Sequence, residues 1–116
     1  MLITKEFTFD AAHYLTQYHG KCEKMHGHTY KMHVTIDGKV KKDGMVYDFV
    51  ELKKLVKENV INELDHALLN DIIKNPSAEN IAIWVWGKLK KEIKGAKLYE
   101  IKIWETATSF VTYNGK

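Results

Sequence analysis

Two histidines, His26 and His28, lie one residue apart in the chain, and the only cysteine, Cys22, precedes His26 by four residues. Alternate residues of an extended strand face the same side, so the two imidazoles can bind one metal ion side by side. A third histidine upstream, His13, can complete a three-histidine site. Three neutral protein ligands leave one coordination position open, which suits a catalytic zinc ion better than a structural one.

Cys22 has two possible roles beside such a site. Lys21 and Lys24 flank it, and nearby cations or a metal favour the thiolate form. A thiolate can serve as a general base, or it can be a fourth zinc ligand that closes the site and makes it structural. The residues alone leave both roles open.

Two further features point to chemistry. Asp65 directly precedes His66, and a carboxylate that orients or charges a histidine suits proton transfer near neutral pH. Glu105 ends the apolar face of a strand, and a charge on an inward face requires a partner. That partner is either another protein group or a ligand with adjacent N–H donors.

The elements that position these residues follow from hydrophobic periodicity and helix caps. Strands are predicted at 3–14, 28–37, 97–105 and 110–113, with a loop at 15–27. One helix is predicted after an Asp48 N-cap, and a second runs from a Ser77 N-cap to Gly95. The order is ββααββ, which predicts an α+β domain with a four-stranded antiparallel sheet and two helices on one face.

Length and composition restrict the class of protein. The 116 residues predict a single domain, 1–116, with little room for a deep cleft inside one subunit. Lysine supplies every positive residue and the net charge is only +3, which argues against nucleic-acid binding. The N-terminus does not resemble a signal peptide, and no segment is apolar enough for a membrane span. One cysteine fits a reducing, cytoplasmic setting.

Four motifs in order resemble those of the 6-pyruvoyl-tetrahydropterin synthase and 6-carboxy-tetrahydropterin synthase family. They are Cys22-x-x-x-His26-Gly27-His28, Leu64-Asp65-His66, Pro76-Ser77-Ala78-Glu79-Asn80 and Trp104-Glu105-Thr106. The resemblance runs from about residue 3 to residue 114. It implies the tunnelling fold (T-fold), in which three subunits join their sheets into a barrel, two trimers stack into a hexamer, and active sites form between subunits.

The resemblance also implies roles for individual residues. The family's three zinc-binding histidines map onto His13, His26 and His28, and its catalytic cysteine maps onto Cys22. Its catalytic Asp-His pair maps onto Asp65 and His66, and its pterin-anchoring glutamate maps onto Glu105. The implied activity is that of a carbon–oxygen lyase that removes triphosphate from 7,8-dihydroneopterin triphosphate.

The product is left open among several outcomes. The short spacing from Cys22 to His26 resembles the branch that forms 6-carboxy-5,6,7,8-tetrahydropterin for 7-deazaguanine tRNA modification, and 6-pyruvoyl-tetrahydropterin is the other synthase product. Glu23 is either a solvated loop residue or, as in some family members, a sign of side-chain cleavage to 6-hydroxymethyl-7,8-dihydropterin for folate-type synthesis. Outside the pterin synthases, the alternatives are a cyclohydrolase-like T-fold enzyme and a noncatalytic, zinc-stabilised assembly domain.

Overall fold

The structure, a computed structural model, describes residues 1–20 and 23–116. Five strands form one sheet: β1 (Leu2–His13), β2 (His26–Asp37), β3 (Ala67–Leu68), β4 (Lys97–Thr106) and β5 (Ser109–Tyr113). Their order across the sheet is β3-β1-β2-β4-β5. The short β3 runs parallel to β1, and all other neighbours are antiparallel. β1 and β2 pair along their full lengths, from Leu2–Asp37 to His13–His26.

The helical segments lie between β2 and β4. Helix α1 (Phe49–Val56) continues through a π-helical turn (Lys57–Ile61) into α2 (Asn62–Leu64), a short 3₁₀ helix (Leu69–Asp71) follows β3, and α3 (Ala78–Leu89) precedes β4. In the described part of the chain, no helix combines the length and apolar character that crossing a bilayer demands.

Both predicted N-caps are confirmed. The Asp48 carboxylate accepts a hydrogen bond from the backbone N–H of Val50 at 2.8 Å, and the Ser77 hydroxyl accepts one from the N–H of Asn80 at 3.1 Å. Each bond satisfies one of the backbone donors that the first helical turn leaves without an intrahelical partner. These two caps therefore fix where the main helices begin.

Helices cover one face of the sheet only. Alternation along β2 places four fully buried side chains on the covered face: Tyr30, Met32, Val34 and Ile36. They pack in one cluster with apolar residues of α1 and α3, among them Leu52, Val56, Ile81, Val85 and Leu89. The opposite face carries polar and charged side chains along β1 and β2. The sheet thus separates an apolar layer from an uncovered polar face.

The predicted α+β fold with helices on one face is confirmed, but three details of the prediction were wrong. The sheet has five strands rather than four, because Ala67–Leu68 pairs briefly with β1. Helix α3 ends at Leu89 rather than at Gly95, and Gly95 instead takes a positive φ of 78° in the turn before β4. A bulge opposite Thr35 and Ile36 turns Tyr99 to solvent, away from the buried face of Ile101.

Candidate functional site

The three histidines lie at adjoining ends of the two longest strands. His13 is the last residue of β1, and it pairs directly with His26, the first residue of β2. His28 lies two residues further along β2 and pairs with Ala11. Strand alternation therefore turns all three side chains to the helix-covered face. The structure brings together the three histidines that the sequence predicts as one site.

Hydrogen bonds to backbone carbonyls orient two of these rings. Nδ1 of His13 donates to the carbonyl oxygen of Pro76 at 2.7 Å, and Nδ1 of His26 donates to that of Lys24 at 2.9 Å. With a proton on Nδ1, Nε2 of each neutral ring keeps its lone pair for a metal. The two Nε2 atoms lie only 3.2 Å apart.

His28 adds a third nitrogen to the same point. Its Nε2 is buried yet makes no hydrogen bond with any described residue. Burial in this site lowers the pKa of His28, with Glu105 opposing the shift. The neutral imidazole is the form that binds a metal. A buried imidazole nitrogen with no hydrogen bond among the described residues is available as a metal ligand.

Glu105 supplies an oxygen to this cluster. Its Oε1 lies 3.2 Å from Nε2 of His28 and 3.9 Å from Nε2 of His13. The four donor atoms of the three histidines and Glu105 all lie within 4.8 Å of one another. Three imidazoles and a carboxylate form a donor set that suits zinc. The residues present therefore fit a bound zinc ion.

A β-bulge aims Glu105 at the histidines. Trp104 pairs with Phe110 and Thr106 with Ser109, so Glu105 is an extra residue on β4. Bulges re-aim side chains and are common beside active sites. The side chain remains 34% exposed, whereas His13 is 1% exposed. Glu105 is therefore open to solvent, as is His26 at 38% exposed, whereas His13 forms the buried side of the cluster.

Glu23 lies next to the His26 ring, on its Nδ1 side, and is not a freely solvated loop residue. Its Oε1 is 3.2 Å from Nδ1 of His26, and that oxygen is buried without a hydrogen-bond partner among residues 1–20 and 23–116. The backbone N–H of Glu23 donates to the carbonyl of Leu15 at 2.9 Å, which ties the loop to the chain just after β1. Of the two alternatives left open for Glu23, this placement does not fit the solvated loop residue. Cys22, the predicted thiol, lies outside the described residues.

Asp65 and His66 form a separate cluster. The Asp65 carboxylate lies 3.0 Å from Nδ1 of His66, as expected for an acid–histidine pair. The backbone of Asp10 holds both residues: its N–H donates to Oδ1 of Asp65 at 2.9 Å, and its carbonyl accepts from the N–H of His66 at 2.6 Å. The first of these bonds, more than any other interaction, lowers the pKa of Asp65.

This pair adjoins the uncovered face of the sheet, away from the histidine cluster. Asp10 and Asp65 group with His66, whereas His13, three residues after Asp10 on the same strand, points to the helices. His66 is 79% exposed and takes a positive φ of 59°, an uncommon conformation for a residue other than glycine. Within one subunit, the structure does not place the acid–histidine pair among the metal-site donors.

A cavity of about 590 Å³ lies beside His66. Ala12 pairs with Gly27 across β1 and β2, and these small residues line it together with Asp10 and Thr29. A Cβ added at Gly27 would meet only the carbonyl oxygen of Ala11, at an ordinary 3.6 Å. The backbone therefore does not demand glycine here, and the missing side chain instead leaves space in the cavity.

Sequence reasoning missed two residues of these clusters. Asp10 alternates as an ordinary polar strand residue, so only the fold reveals that its backbone holds Asp65 and His66. The carbonyl of Pro76 orients His13, and backbone groups give no signal in residue types. The motif from Pro76 to Asn80 was recognised, but as a helix start rather than as support for a metal ligand.

The fold and site define a class of protein: an α+β subunit whose central strands carry a three-histidine cluster that could hold a metal, beside a reachable carboxylate. Comparison with known families specifies it further, because the family described as 6-pyruvoyl tetrahydropterin synthase matches residues 2–116. The chain belongs to this family, and it is therefore an enzyme of the pterin-synthase type, a lyase.

Characterised relatives carry more than one name. A 6-carboxy-5,6,7,8-tetrahydropterin synthase of Haemophilus influenzae is 36% identical, with 96% of each chain covered. A dihydroneopterin monophosphate aldolase of Pyrococcus furiosus is 43% identical over 84% of this chain and 83% of its own. The 6-pyruvoyl tetrahydropterin synthase of Caenorhabditis elegans superposes with a TM-score of 0.86 at 28% identity, covering 100% of this chain and 96% of that chain. The family is thus fixed, while the reaction differs among relatives.

Proposed function

We propose that this protein is a zinc-dependent lyase that converts 7,8-dihydroneopterin triphosphate, with loss of triphosphate, to 6-carboxy-5,6,7,8-tetrahydropterin or 6-pyruvoyl-tetrahydropterin. The observation that carries the proposal is the convergence of three histidine Nε2 atoms beside a reachable carboxylate. The synthase from Haemophilus influenzae, similar over nearly the whole of both chains, supports the carboxy product.

His13, His26 and His28 would hold the zinc ion. When bound, zinc supplies Lewis-acid polarisation of the oxygen atoms on the substrate's side chain. Hydrogen bonds to the carbonyl oxygens of Pro76 and Lys24 hold the rings of His13 and His26, respectively, in the site. Because His13 is almost fully buried whereas Glu105 and His26 are 34% and 38% exposed, the substrate would enter where these two side chains reach solvent.

Glu105 would anchor the heterocycle. A carboxylate accepts paired hydrogen bonds from adjacent ring N–H and amino donors, which fixes the ring plane as well as its position. The bulge at Glu105 places this anchor at the edge of the histidine cluster. A ring held there would present its side chain to the metal site.

Proton transfer is assigned to Cys22 and to the pair of Asp65 and His66. Cys22 would remove and return protons at the side-chain carbons, and His66, charged and oriented by Asp65, would carry the second proton. Within one subunit, the Asp65–His66 pair and the proposed metal site lie on opposite faces of the sheet. That placement favours a His66 that serves the site of a neighbouring subunit.

The open edges of the sheet support an assembly of this kind. Among the described residues, β1 has a strand neighbour on its outer side only at Ala11 and Ala12, and β5 has none on its outer side. Such edges present unpaired N–H and C=O groups that readily pair with another chain. We propose a homohexamer of two stacked trimers, with sheets joined edge to edge and active sites between subunits.

Side-chain cleavage to 6-hydroxymethyl-7,8-dihydropterin is the second candidate function. Two observations favour it: the Pyrococcus furiosus relative is named an aldolase, and Glu23 is held beside the metal-site residue His26. In this reaction the bond between the first and second side-chain carbons breaks. A carboxylate such as Glu23 would take the proton from the second carbon's hydroxyl, and the first carbon would be protonated in its place.

One experiment decides between the two reactions. Zinc-loaded protein is incubated with 7,8-dihydroneopterin triphosphate and, separately, with the monophosphate, and the products are identified by mass spectrometry. A carboxy or pyruvoyl tetrahydropterin with released triphosphate supports the synthase, whereas 6-hydroxymethyl-7,8-dihydropterin supports the cleavage reaction. Failure to convert either compound would overturn both.

A further inference from the structure

Glu105 has more than one possible partner within reach. As the proposed pterin anchor it should await a heterocycle with a free carboxylate. Its Oε1 instead lies 3.2 Å from Nε2 of His28 and 3.9 Å from Nε2 of His13. This carboxylate is turned into the histidine cluster.

Glu105 and His28 each direct an atom that can bind a metal towards the same place. Although Oε1 and Nε2 are 3.2 Å apart, Nε2 of His28 makes no hydrogen bond with any described residue. Nε2 of His13 and Nε2 of His26 lie within hydrogen-bond distance of each other, at 3.2 Å, with their rings edge to face. The four donor atoms of these residues all lie within 4.8 Å of one another, an arrangement that fits donors sharing one cation.

We propose that Glu105 alternates between two partners: it completes a four-donor zinc site with the three histidines, and it leaves the zinc when a pterin ring binds. The inference rests on the proposed function for the identity of the metal and of the heterocycle. Three histidines alone leave a position that solvent or any anion can occupy. Glu105 would close that position until the ring's N–H donors compete for the same carboxylate.

The location of Glu105 suits an exchange of this kind. The side chain sits on a bulge at the end of β4 and is one-third exposed, so it can swing without disturbing the buried core. The histidines, in contrast, lie in the paired part of β1 and β2, and two of them are tied to backbone carbonyls. The donor that lies on the bulge is thus the one that would meet the incoming ring.

The first test measures zinc affinity by competition with a chromogenic chelator. Glu105→Gln removes the charge but keeps the shape, and Glu100→Gln is the matched control, since Glu100 lies on the same strand outside the site. We expect Glu105→Gln to weaken zinc binding about tenfold or more, because even outer groups of metal sites contribute this much. Equal zinc affinity in Glu105→Gln and wild type would overturn the inference.

The second test uses pterin without a side chain, which has no hydroxyl to offer the metal. If one carboxylate serves both partners, zinc must weaken pterin binding, and pterin must weaken zinc binding by the same factor. Wild-type protein is therefore titrated with pterin in its zinc-loaded and zinc-free forms. Equal affinities in the two forms would disprove the exchange, whereas weaker binding to the zinc-loaded form supports it.

The outcomes separate this inference from the proposed function. A wild-type protein that binds no zinc contradicts the proposed function itself. If the protein binds zinc but binds pterin in neither its zinc-loaded nor its zinc-free form, the proposed exchange between zinc and pterin is disproved. The Glu105→Gln comparison would then still test whether Glu105 is a fourth zinc ligand. Cobalt-substituted protein gives an independent readout, because loss of a carboxylate ligand on adding pterin shifts the visible absorption of the ion.

Discussion

Nδ1 of His13 donates a hydrogen bond to the carbonyl oxygen of Pro76 over 2.7 Å, so a residue of the candidate metal site on β1 is held by the residue just before the α3 N-cap. The contact is buried, and it joins segments 63 residues apart in the chain. The start of α3 and the orientation of His13 are therefore coupled. Loss of the α3 N-cap should therefore lower the affinity of the proposed site for zinc.

Ser77→Ala tests this coupling. Loss of an N-cap side chain costs about 1 kcal/mol in the free energy of unfolding. Asp48→Ala removes the equivalent cap from α1, which is remote from the histidines, and it should cost about the same. We expect only Ser77→Ala to weaken zinc binding as well, measured by chelator competition. Equal zinc affinities in the two variants would show that the cap and the site are independent.

His26→Ala should remove zinc from the purified protein. The change deletes one of three converging nitrogens, and the remaining donors hold the ion less tightly. His33→Ala is the control, because His33 lies on the same strand but faces Glu6 on the uncovered side, at 2.8 Å. Metal analysis should find about one zinc per subunit in wild type and in His33→Ala. Retention of zinc by His26→Ala would contradict the assignment.

Cys22→Ser distinguishes the two roles that the sequence leaves open for this thiol. As a proton carrier, Cys22 should be dispensable for zinc binding, and its loss should lower kcat about 10²-fold or more. As a fourth zinc ligand, its loss should strip the metal instead. Zinc content and turnover are measured on the same preparation. Full zinc with full turnover would exclude both roles.

The Asp65 carboxylate should give the segment before β3 a dependence on acid pH. The hydrogen bond from the N–H of Asp10 lowers the pKa of Asp65 in the folded protein. A carboxyl group whose pKa is lowered on folding contributes stability above its unfolded pKa, about 3.9, and that stability is lost as the pH falls through the lower, folded value.

Amide hydrogen exchange of Asp10, followed on acidification, measures this effect. Protection should hold at pH 5 and above and fall progressively below about pH 4, as the pH passes from the unfolded pKa of Asp65 towards its lower folded pKa. Asp65→Asn keeps an oxygen acceptor but cannot titrate, so its protection should not change over the same range. A parallel acid response in both proteins would assign the effect to another group.

Strand alternation was sufficient to predict which side chains share a face. His13, His26 and His28 follow from parity and from the pairing of β1 with β2, and Glu105 follows from the parity of Ile101 and Ile103. The closeness of Glu105 to the histidines did not follow, because it depends on a bulge in the pairing of β4 with β5. Bulges are set by the partner strand rather than by local composition.

The other differences have similar causes. The two-residue β3 is too short for any periodicity, and it exists because the chain around His66 is tied to Asp10. The end of α3 was placed too late because Ile93 continues the apolar period while lying beyond the helix, in the turn that follows Leu89. Long helices and strands can thus be predicted from the sequence, whereas their ends depend on contacts that form only in the folded protein.

The pairing of Asp10 with Thr29 and of His13 with His26 has a consequence for how this chain can change in evolution. Asp10 and His13 serve opposite faces of one strand, so a single inserted or deleted residue between them would turn one set of side chains to the wrong side. Exposed positions of this strand can therefore be substituted, but a change in its length is not tolerated. Variation in length should therefore accumulate in the segment from Tyr14 to Met25, which joins the two strands without fixing their register.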